Sequence, residues 1–392
     1  MSKTEKSYTW IDSPETLADF IAEQAGIDWM AFDTEFIGEK RYYTLICLIQ
    51  VATEKGIYLI DPLAIDNLDA FIDLLEDPSI RKVTHAGEND YRLFYQDFEC
   101  VPQNVFDTQI AAGFVDYRFP ISFGKLIEAE LDISLGKGFA VTDWKRRPMT
   151  NKQIQYALND VIYTKDLYDS LVNKLEKNGR MEWALEECAE MTAKDYFYRD
   201  PNHEALNSRL LQTSRKKDRL FLLRLFTWRR EEAEYKDYSK EMILPSKYFN
   251  PLMRAVRSGK DALRDNRRLP NKTVQRHGEL FLEFSNEPAT AEEEAILAQV
   301  PQYKKEDEDN DMLLDLLYIL LKYRCSQEGI SHQLVMSKAD IKRMRENEGL
   351  RKKLLGSGWR RKLMGDNFMG YIENFDRLEL EIDGGDVKLK LL

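Results

Sequence analysis

The chain has 392 residues, of which 43% are hydrophobic and 32% charged, and this composition excludes collagen-like, wholly disordered and membrane-bundle proteins. Its four cysteines lie at least 53 residues apart and form no CxxC pair, which argues against a zinc module and favours a reducing compartment. The N-terminal residues lack the apolar core of a signal peptide, and no apolar run is long enough to span a bilayer. We therefore expect a cytoplasmic protein without a membrane partner.

The net charge of −11 argues against a polyanionic partner, but the charge is unevenly distributed along the chain. Residues 1–200 carry 21 basic and 36 acidic side chains, whereas residues 209–276 carry 19 basic and 8 acidic ones. An ordinary charged surface explains the totals but explains this segregation less well. The pattern predicts an acidic half joined to a separate module that binds a polyanion.

The first half of the chain is predicted to form an α/β fold. Three stretches rich in apolar and β-branched residues predict early strands, at Trp29–Ile37, Leu45–Val51 and Gly56–Ile60. A helix is predicted over residues 66–75, and a short buried strand, Lys82–Thr84, leads into His85-Ala86-Gly87. Apolar residues then recur at helical spacing from Thr150, a predicted N-cap, to a stop at residues 178–179.

The second half is predicted to be almost entirely helical. A long amphipathic helix is expected over residues 215–235, and turns follow at Gly259 and Pro270. Residues 291–311 are interpreted as an acidic linker, and a further helix is predicted over residues 312–324. The alternating residues at the end of the chain, around Asp383-Gly384-Gly385-Asp386, predict a terminal hairpin.

Two pairs of polar residues have spacings that can support chemistry. Asp33 and Glu35 share one face of a predicted strand, and adjacent carboxylates of this kind are ligands for hard cations such as Mg²⁺ or Mn²⁺. Tyr156 and Asp160 lie one helical turn apart. Asp33 and Glu35 could also be a strand-edge pair that points to solvent, the Tyr-x3-Asp spacing occurs four times in the chain and is uninformative alone, and Asp90 could merely serve a helix N-terminus.

Six motifs occur in a fixed order over roughly residues 8 to 175: DTEF, YYTLICLIQV, HAGENDYRLF, FDTQIAA, TDWKRRP and YALNDV. This series resembles the DEDD exonuclease superfamily, specifically its tyrosine-bearing branch, and most closely the ribonuclease D family. The resemblance implies a ribonuclease H-like domain at residues 1–200, with a mixed sheet that has early antiparallel strands and is flanked by helices.

The resemblance also implies an active site and a reaction. It places Asp33 and Glu35 in the first motif, Asp90 in the second, and Tyr156 with Asp160 in the third. The four carboxylates would hold two divalent cations, Mg²⁺ or Mn²⁺, for hydrolysis of the 3′-terminal phosphodiester to nucleoside 5′-monophosphates. Because an unperturbed phenol titrates near pH ~10, Tyr156 is expected to orient the attacking water as a neutral hydrogen-bonding group.

Further residues near these motifs are candidates for substrate binding, namely Tyr42, Tyr43, His85, Trp144, Arg146 and Arg147. The two tyrosines either stack on a terminal base or pack at a strand end, and the family's usual Pro-Gln after them is Thr44-Leu45 here. His85 is interpreted as structural or supporting, and Trp144 either as a core residue or as a stacking platform. At least one of the two arginines is expected to face a phosphate, whereas Asp107 is expected to cap a helix or support the site from behind.

Residues 209–286 resemble the HRDC domain, a small helical module, and we place this domain at residues 205–290. Lysine and arginine neutralise phosphates regardless of base sequence, so the positive balance of this module favours nucleic-acid binding. A protein-binding or spacer module is the alternative. Residues 312–392 are interpreted as a helical region that could form a second HRDC-like unit.

The resulting hypothesis is a 3′–5′ exoribonuclease that trims the 3′ ends of tRNA precursors or other structured RNA. Two alternatives stay open at the level of the sequence. One is a DNA exonuclease with the same chemistry, since no residue reports on the need for a 2′-hydroxyl. The other is an RNA-binding scaffold without activity, which usually lacks one of the carboxylates.

Overall fold

The computed structural model describes residues 7–136, 142–198, 200–300, 308–374, 378–383 and 386–391. Within this part of the chain, the backbone separates into two compact units. The first, called the α/β unit, contains the described residues of 1–36, 46–197 and 306–392. The second, called the helical unit, contains those of 37–45 and 198–305.

Six strands form a single mixed sheet in the α/β unit. They are β1 (Thr9–Ile11), β2 (Trp29–Ile37), β3 (Leu45–Ala52), β4 (Ile57–Ile60), β5 (Arg81–Thr84) and β6 (Val105–Asp107). Their order across the sheet is β1-β4-β3-β2-β5-β6, with β3 antiparallel to β4. Strands β2, β5 and β6 run parallel to one another, as do β1 and β4. The three early strands predicted from the sequence are confirmed, within a residue at each end.

Helices cover both faces of this sheet, and a separate apolar core lies on each face. The helices are α1 (Pro14–Glu23), α2 (Asp69–Glu76), α3 (Glu88–Phe98), α4 (Thr108–Gly113), α5 (Phe123–Leu131), α6 (Asn151–Ile162), α7 (Thr164–Lys177), α8 (Met181–Glu190) and α9 (Lys194–Phe197).

The prediction of one continuous helix after Thr150 is wrong, because α6 and α7 are separated at Tyr163, where ψ is 0°. The hydroxyl of Thr164 donates to the carbonyl of Asp160 at 3.0 Å. Such side-chain bonds to the preceding turn bend helices, which is the physical reason for the break.

The helical unit packs eight helices around its own core, which includes Trp228 and Phe281. They are α10 (His203–Leu206), α11 (Arg209–Thr213), α12 (Lys216–Lys236), α13 (Lys240–Ile243), α14 (Phe249–Arg257), α15 (Lys260–Arg264), α16 (Asn271–Asn286) and α17 (Ala291–Ala298), with a short 3₁₀ turn at Ser246–Tyr248. Helix α17 lies within the segment interpreted as an acidic linker. Thr290 and Glu293 cap each other's backbone amides at its start, a local signal that the charge pattern obscured. Residues 301–307 of that segment lie outside the described residues.

The C-terminal part of the chain belongs to the α/β unit. Its elements are α18 (Glu308–Glu328), α19 (His332–Val335), α20 (Lys338–Glu346), α21 (Glu348–Leu355), α22 (Gly358–Met364), α23 (Asp366–Glu373), β7 (Leu378–Asp383) and β8 (Asp386–Leu391). Strands β7 and β8 pair antiparallel, and the two glycines at the predicted turn lie outside the described residues. Among the described helices, none combines the length and apolar character that a membrane span requires.

These C-terminal helices complete the core on one face of the sheet. The ring of Trp359 on α22 lies 4.7 Å from that of Phe114, which follows α4, and both residues are fully buried. The neighbouring Arg360 forms a largely buried ion pair with Glu187 of α8 at 2.7 Å. At Gly113 a Cβ atom would come within 2.8 Å of Cδ2 of Leu334, so a larger residue there would require the leucine side chain to shift.

Candidate active site

Strand β2 presents two carboxylates on one face of the sheet. Successive side chains of a strand alternate between its faces, so Asp33 and Glu35 project from the same face as the buried Ala31. The parallel pairing with β5 ends at Ala31, opposite Val83, and the two carboxylates lie beyond that point. They are therefore half-buried at the edge of the core instead of inside it.

The turn between β5 and α3 delivers a third carboxylate. Asp90 is the third residue of α3, is 6% exposed, and accepts a hydrogen bond from the hydroxyl of Thr34 on β2. A Cβ atom at Gly87 would lie 2.6 Å from the hydroxyl of Tyr91 and 2.7 Å from that of Thr84, so the turn requires glycine. Sequence reasoning missed Thr34, although it lies at the centre of the Asp33-Thr34-Glu35 motif.

Helix α6 contributes Tyr156 and Asp160 from one face, one turn apart. The helix starts where predicted, because the Thr150 hydroxyl accepts from the amide of Gln153 and the Gln153 side chain accepts from the amide of Thr150. The ring of Trp144 lies 6.1 Å from that of Tyr156 and is 2% exposed, so this tryptophan supports the tyrosine from within the core.

Ligand oxygens of Asp33, Glu35 and Asp160 all lie within 4.8 Å of one another. Together with Asp90, whose charge acts on Asp33, these residues form what we call the carboxylate cluster. Oxygen Oδ2 of Asp160 is buried and, among the described residues, has no hydrogen-bond partner. Burying a polar atom without a hydrogen-bond partner costs free energy, unless a bound ligand or ion pairs with it.

Burial and mutual repulsion make these carboxyls hard to ionise. Burial, reinforced by the charges of Asp160 and Asp90, raises the pKa of Glu35 from 4.5 to about 9. The pKa of Asp33 lies well above its usual value for the same reasons, and the pKa values of Asp90 and Asp160 rise to about 7. The pKa of Tyr156 is also raised, by burial and then by the nearby carboxylates, so its phenol is protonated at neutral pH.

Arg147 has a structural role in the segment before α6. Its guanidinium donates to both carboxylate oxygens of the buried Asp61, at 2.5 and 2.7 Å, and to the carbonyls of Cys47 and Trp144 at 2.7 and 2.8 Å. Sequence reasoning missed Asp61 because it lies 86 residues away. The side chain of Arg146, in contrast, is exposed.

His85 and Asp107 support the turn that carries Asp90. Nε2 of His85 donates to the carbonyl of Ile121 at 3.0 Å, and its Nδ1 lies 2.9 Å from the Thr108 hydroxyl. Asp107 caps α4, as predicted, and accepts from the amides on the β5–α3 turn, at residues 86 and 87, at 3.1 and 2.8 Å. Both side chains are thus engaged behind the carboxylate cluster.

Tyr42 and Tyr43 belong to the helical unit, in the segment 37–45. The backbone amides of both residues donate to Asp237 at the C-terminal end of α12, at 3.2 and 2.9 Å. Arg41 forms an ion pair with the same carboxylate at 2.6 Å, and the Tyr43 hydroxyl donates to Glu234 at 2.9 Å. This tethering was not foreseen, because it joins residues almost 200 positions apart.

Comparisons with known proteins found a matching family model and similar relatives. A family model described as 3′–5′ exonuclease matches residues 8–176, the segment that holds the whole carboxylate cluster. The chain is similar to ribonuclease D of Sphingobium indicum, at 31% identity over 97% of both chains, and to that of Pseudomonas paraeruginosa, at 28% identity over 95% of this chain and 100% of the relative.

The same likeness appears in three dimensions. The crystal structure of Escherichia coli RNase D, described as an exoribonuclease involved in structured RNA processing, superposes with a TM-score of 0.80 at 25% identity, covering 94% of this chain and 99% of that one. The match therefore extends through the α/β fold and the helical C-terminal half alike. With an exonuclease fold, a relative above 30% identity and near-complete coverage of both chains, this protein belongs to the ribonuclease D family and is a 3′–5′ exoribonuclease.

Proposed function

We propose that this exoribonuclease removes single nucleotides from the 3′ ends of structured RNA, tRNA precursors among them, and that two divalent cations bound at the carboxylate cluster enable the reaction. The observation that carries the proposal is the convergence of ligand oxygens from Asp33, Glu35 and Asp160 within 4.8 Å. Three separate elements, β2, α3 and α6, supply the cluster. Carboxylates that repel one another are brought together in this way at functional sites.

The residues present fit hard divalent cations. All the donors are carboxylate oxygens, the ligand type that Mg²⁺ and Mn²⁺ prefer. Burial and then the neighbouring carboxylates raise the pKa values of Asp33 and Glu35, and the buried Oδ2 of Asp160 lacks a partner among the described residues. A bound cation would relieve both problems, so we assign Asp33, Glu35, Asp90 and Asp160 as the ligands.

When bound, the cations supply Lewis acidity that activates a water molecule and stabilises the departing 3′ oxygen. Tyr156 is protonated and half-buried beside the cluster, so its hydroxyl can orient the attacking water by donating a hydrogen bond to it. Attack at phosphorus breaks the bond to the 3′ oxygen of the penultimate nucleotide. The released nucleotide keeps its 5′-phosphate, and the shortened RNA regains a 3′-hydroxyl.

The helical unit supplies the RNA-binding part of the proposal. Residues 209–276 have an excess of 11 positive charges, which favours contacts with phosphates independent of base sequence. We assign residues 205–290 as an HRDC-like domain on this basis and on the motif resemblance. The E. coli relative is described as an exoribonuclease involved in structured RNA processing, which supports structured RNA as the substrate class.

The proposal is tested by digesting matched RNA and DNA oligonucleotides with the full chain in Mg²⁺, in Mn²⁺ and in EDTA. We expect nucleoside 5′-monophosphates from RNA with either cation and no product in EDTA. Activity in chelator would contradict the cation requirement, and internal cuts in a circular RNA would contradict the need for a 3′ end. Faster digestion of DNA than of RNA would contradict the proposed RNA substrate.

A further inference from the structure

An open groove in the helical unit lies outside the six nuclease motifs and the carboxylate cluster. It has a volume of about 520 Å³ and is bordered by the end of α12, by α13 and by the first half of α16. Cationic side chains line it from two helices, namely Lys236, Lys272 and Arg276. Tyr238, Met242 and His277 also line this groove.

The charge of this groove is largely uncompensated. Lys272 and Arg276 lie one turn apart on the same face of α16, both are exposed, and within the described residues neither forms an ion pair. Many other cations of the helical unit are neutralised, as Lys260 is by Glu279 at 2.5 Å. In the groove itself only Lys236 is paired, with Glu232.

His277 on the wall of the groove is affected by burial first and by the nearby cations second. Burial, with the Trp228 ring 4.9 Å away, lowers the pKa of His277; the charges of Arg276 and Lys236 lower it further, while that of Glu232 opposes them. Burial disfavours any charged form of this ring, so the attraction of the groove for an anion rests on the exposed cations Lys272 and Arg276. The start of α16 adds to this effect, because Pro270 provides no side-chain cap for its first amides.

The mouth of the groove also exposes an aromatic and an apolar side chain. Tyr238 is 48% exposed and Met242 is 50% exposed. The backbone of Tyr238 is held in place, because its amide donates to the carbonyl of Ala233 at 3.0 Å just after Asp237, which has a φ of 48°. The tyrosine ring is therefore presented from a fixed backbone, close to the cations.

We propose that this groove binds a single-stranded segment of the RNA substrate, with phosphates at Lys272 and Arg276 and a base stacked on Tyr238. Positive grooves combined with exposed aromatic rings are the arrangement by which proteins hold single strands without sequence preference. A duplex would keep its bases stacked and leave the ring unused. The inference rests on the proposed function, because the strand it concerns is the same RNA whose 3′ end is hydrolysed.

The first experiment measures the affinity of the full chain for a fluorescein-labelled 20-nucleotide oligoadenylate in EDTA, as a function of salt. The double substitution Lys272→Ala/Arg276→Ala should weaken binding about tenfold, and should make the log–log salt slope shallower by about 0.7 for each phosphate that the protein no longer neutralises. The matched control is Lys216→Ala/Lys217→Ala, which removes the same charge from exposed positions at the start of α12. Equal decreases in affinity in both double variants would overturn the proposal.

The second experiment tests the role of the Tyr238 ring. It also tests whether the bound phosphates belong to an RNA strand or to a free nucleotide. Tyr238→Ala should weaken binding of the oligoadenylate about tenfold, whereas Tyr238→Phe, which keeps the ring, should bind as the unaltered chain does. Wild-type affinity in Tyr238→Ala would overturn the stacking. Adenosine 5′-monophosphate should compete only weakly, and competition at concentrations equal to those of the oligonucleotide would show that the groove is a site for a free nucleotide.

Kinetics separate a failure of this inference from a failure of the proposed function. In Mg²⁺, the ratio of kcat/KM for the 20-nucleotide RNA to that for a dinucleotide should fall about tenfold in Lys272→Ala/Arg276→Ala. If the unaltered chain hydrolyses neither RNA, the proposed function is wrong. If the unaltered chain hydrolyses both and the double variant keeps the same ratio, only the groove assignment is wrong.

Discussion

Replacing Glu35 by glutamine should stabilise the metal-free protein at neutral pH while it impairs catalysis. Burial and the charges of Asp160 and Asp90 raise the pKa of Glu35 from 4.5 to about 9. Glu35 therefore keeps its proton in the folded state at pH 7.5 but loses it on unfolding. An acid whose pKa is raised by folding contributes its full stability below the unfolded pKa, and this stability is lost as the pH rises toward the folded pKa.

The size of the effect follows from the same pKa values. Over the window from 4.5 to 7.5, each pH unit lowers the free energy of unfolding by about 1.4 kcal/mol, or about 4 kcal/mol in all. Glu35 is only half-buried, so solvent screening should reduce this to about 2 kcal/mol. Glu35→Gln removes the titrating group and should recover that amount near pH 7.5, but almost nothing near pH 4.5.

The assay is urea unfolding in EDTA at both pH values, followed by circular dichroism. The matched control is Glu182→Gln, which removes a carboxylate from the exposed side of α8, outside the cluster. Addition of Mg²⁺ should stabilise the unaltered chain more near pH 7.5 than near pH 4.5, because the ligands must be ionised to bind it. An unfolding free energy that changes equally with pH in Glu35→Gln and in the unaltered chain would refute the reasoning.

The remaining predictions concern catalysis and the support of the site. Asp160→Asn should reduce turnover by at least about 10²–10³-fold, since it removes a ligand oxygen, and a milder decrease in steady-state kinetics would argue against its assignment. Tyr156→Phe should retain the stabilisation by Mg²⁺ in a thermal melt yet lose most of the turnover; unaltered turnover would exclude the water-orienting role. A 3′-phosphate on the RNA should block degradation, as judged by gel electrophoresis against the same RNA with a 3′-hydroxyl. Arg147→Ala should destabilise the protein by about 3–5 kcal/mol in urea unfolding, because it leaves the 3% exposed Asp61 without its partner.

Features encoded locally were predicted well from the sequence. The strand that carries Asp33 and the capped start of α6 at Thr150 both follow from short patterns, of two-residue alternation and of capping. Tyr156 and Asp160 then lie on one face because helical spacing requires it. The prediction that β2 and α6 converge, in contrast, came from the family resemblance, since residue spacing cannot show which distant segments lie together.

Features that depend on distant partners could not be predicted. The role of Arg147 is decided by Asp61, and that of the segment around Tyr43 by Asp237, nearly 200 residues further along the chain. The charges of residues 291–311 suggested a linker, although Thr290 and Glu293 provide the capping box of a helix. Composition averages over a segment, whereas a cap depends on two side chains.

The contact between Phe114 and Trp359 has a consequence for synthesis of the chain. The apolar core on that face of the sheet includes buried side chains of α18 to α23, which are encoded from residue 308 onward. At about 5–20 residues per second, a ribosome needs roughly 10–40 s to translate the segment between α9 and the end of α23. Throughout that interval the nascent nuclease lacks part of its core, so we expect the enzyme to acquire its folded active site only after α23 has been translated.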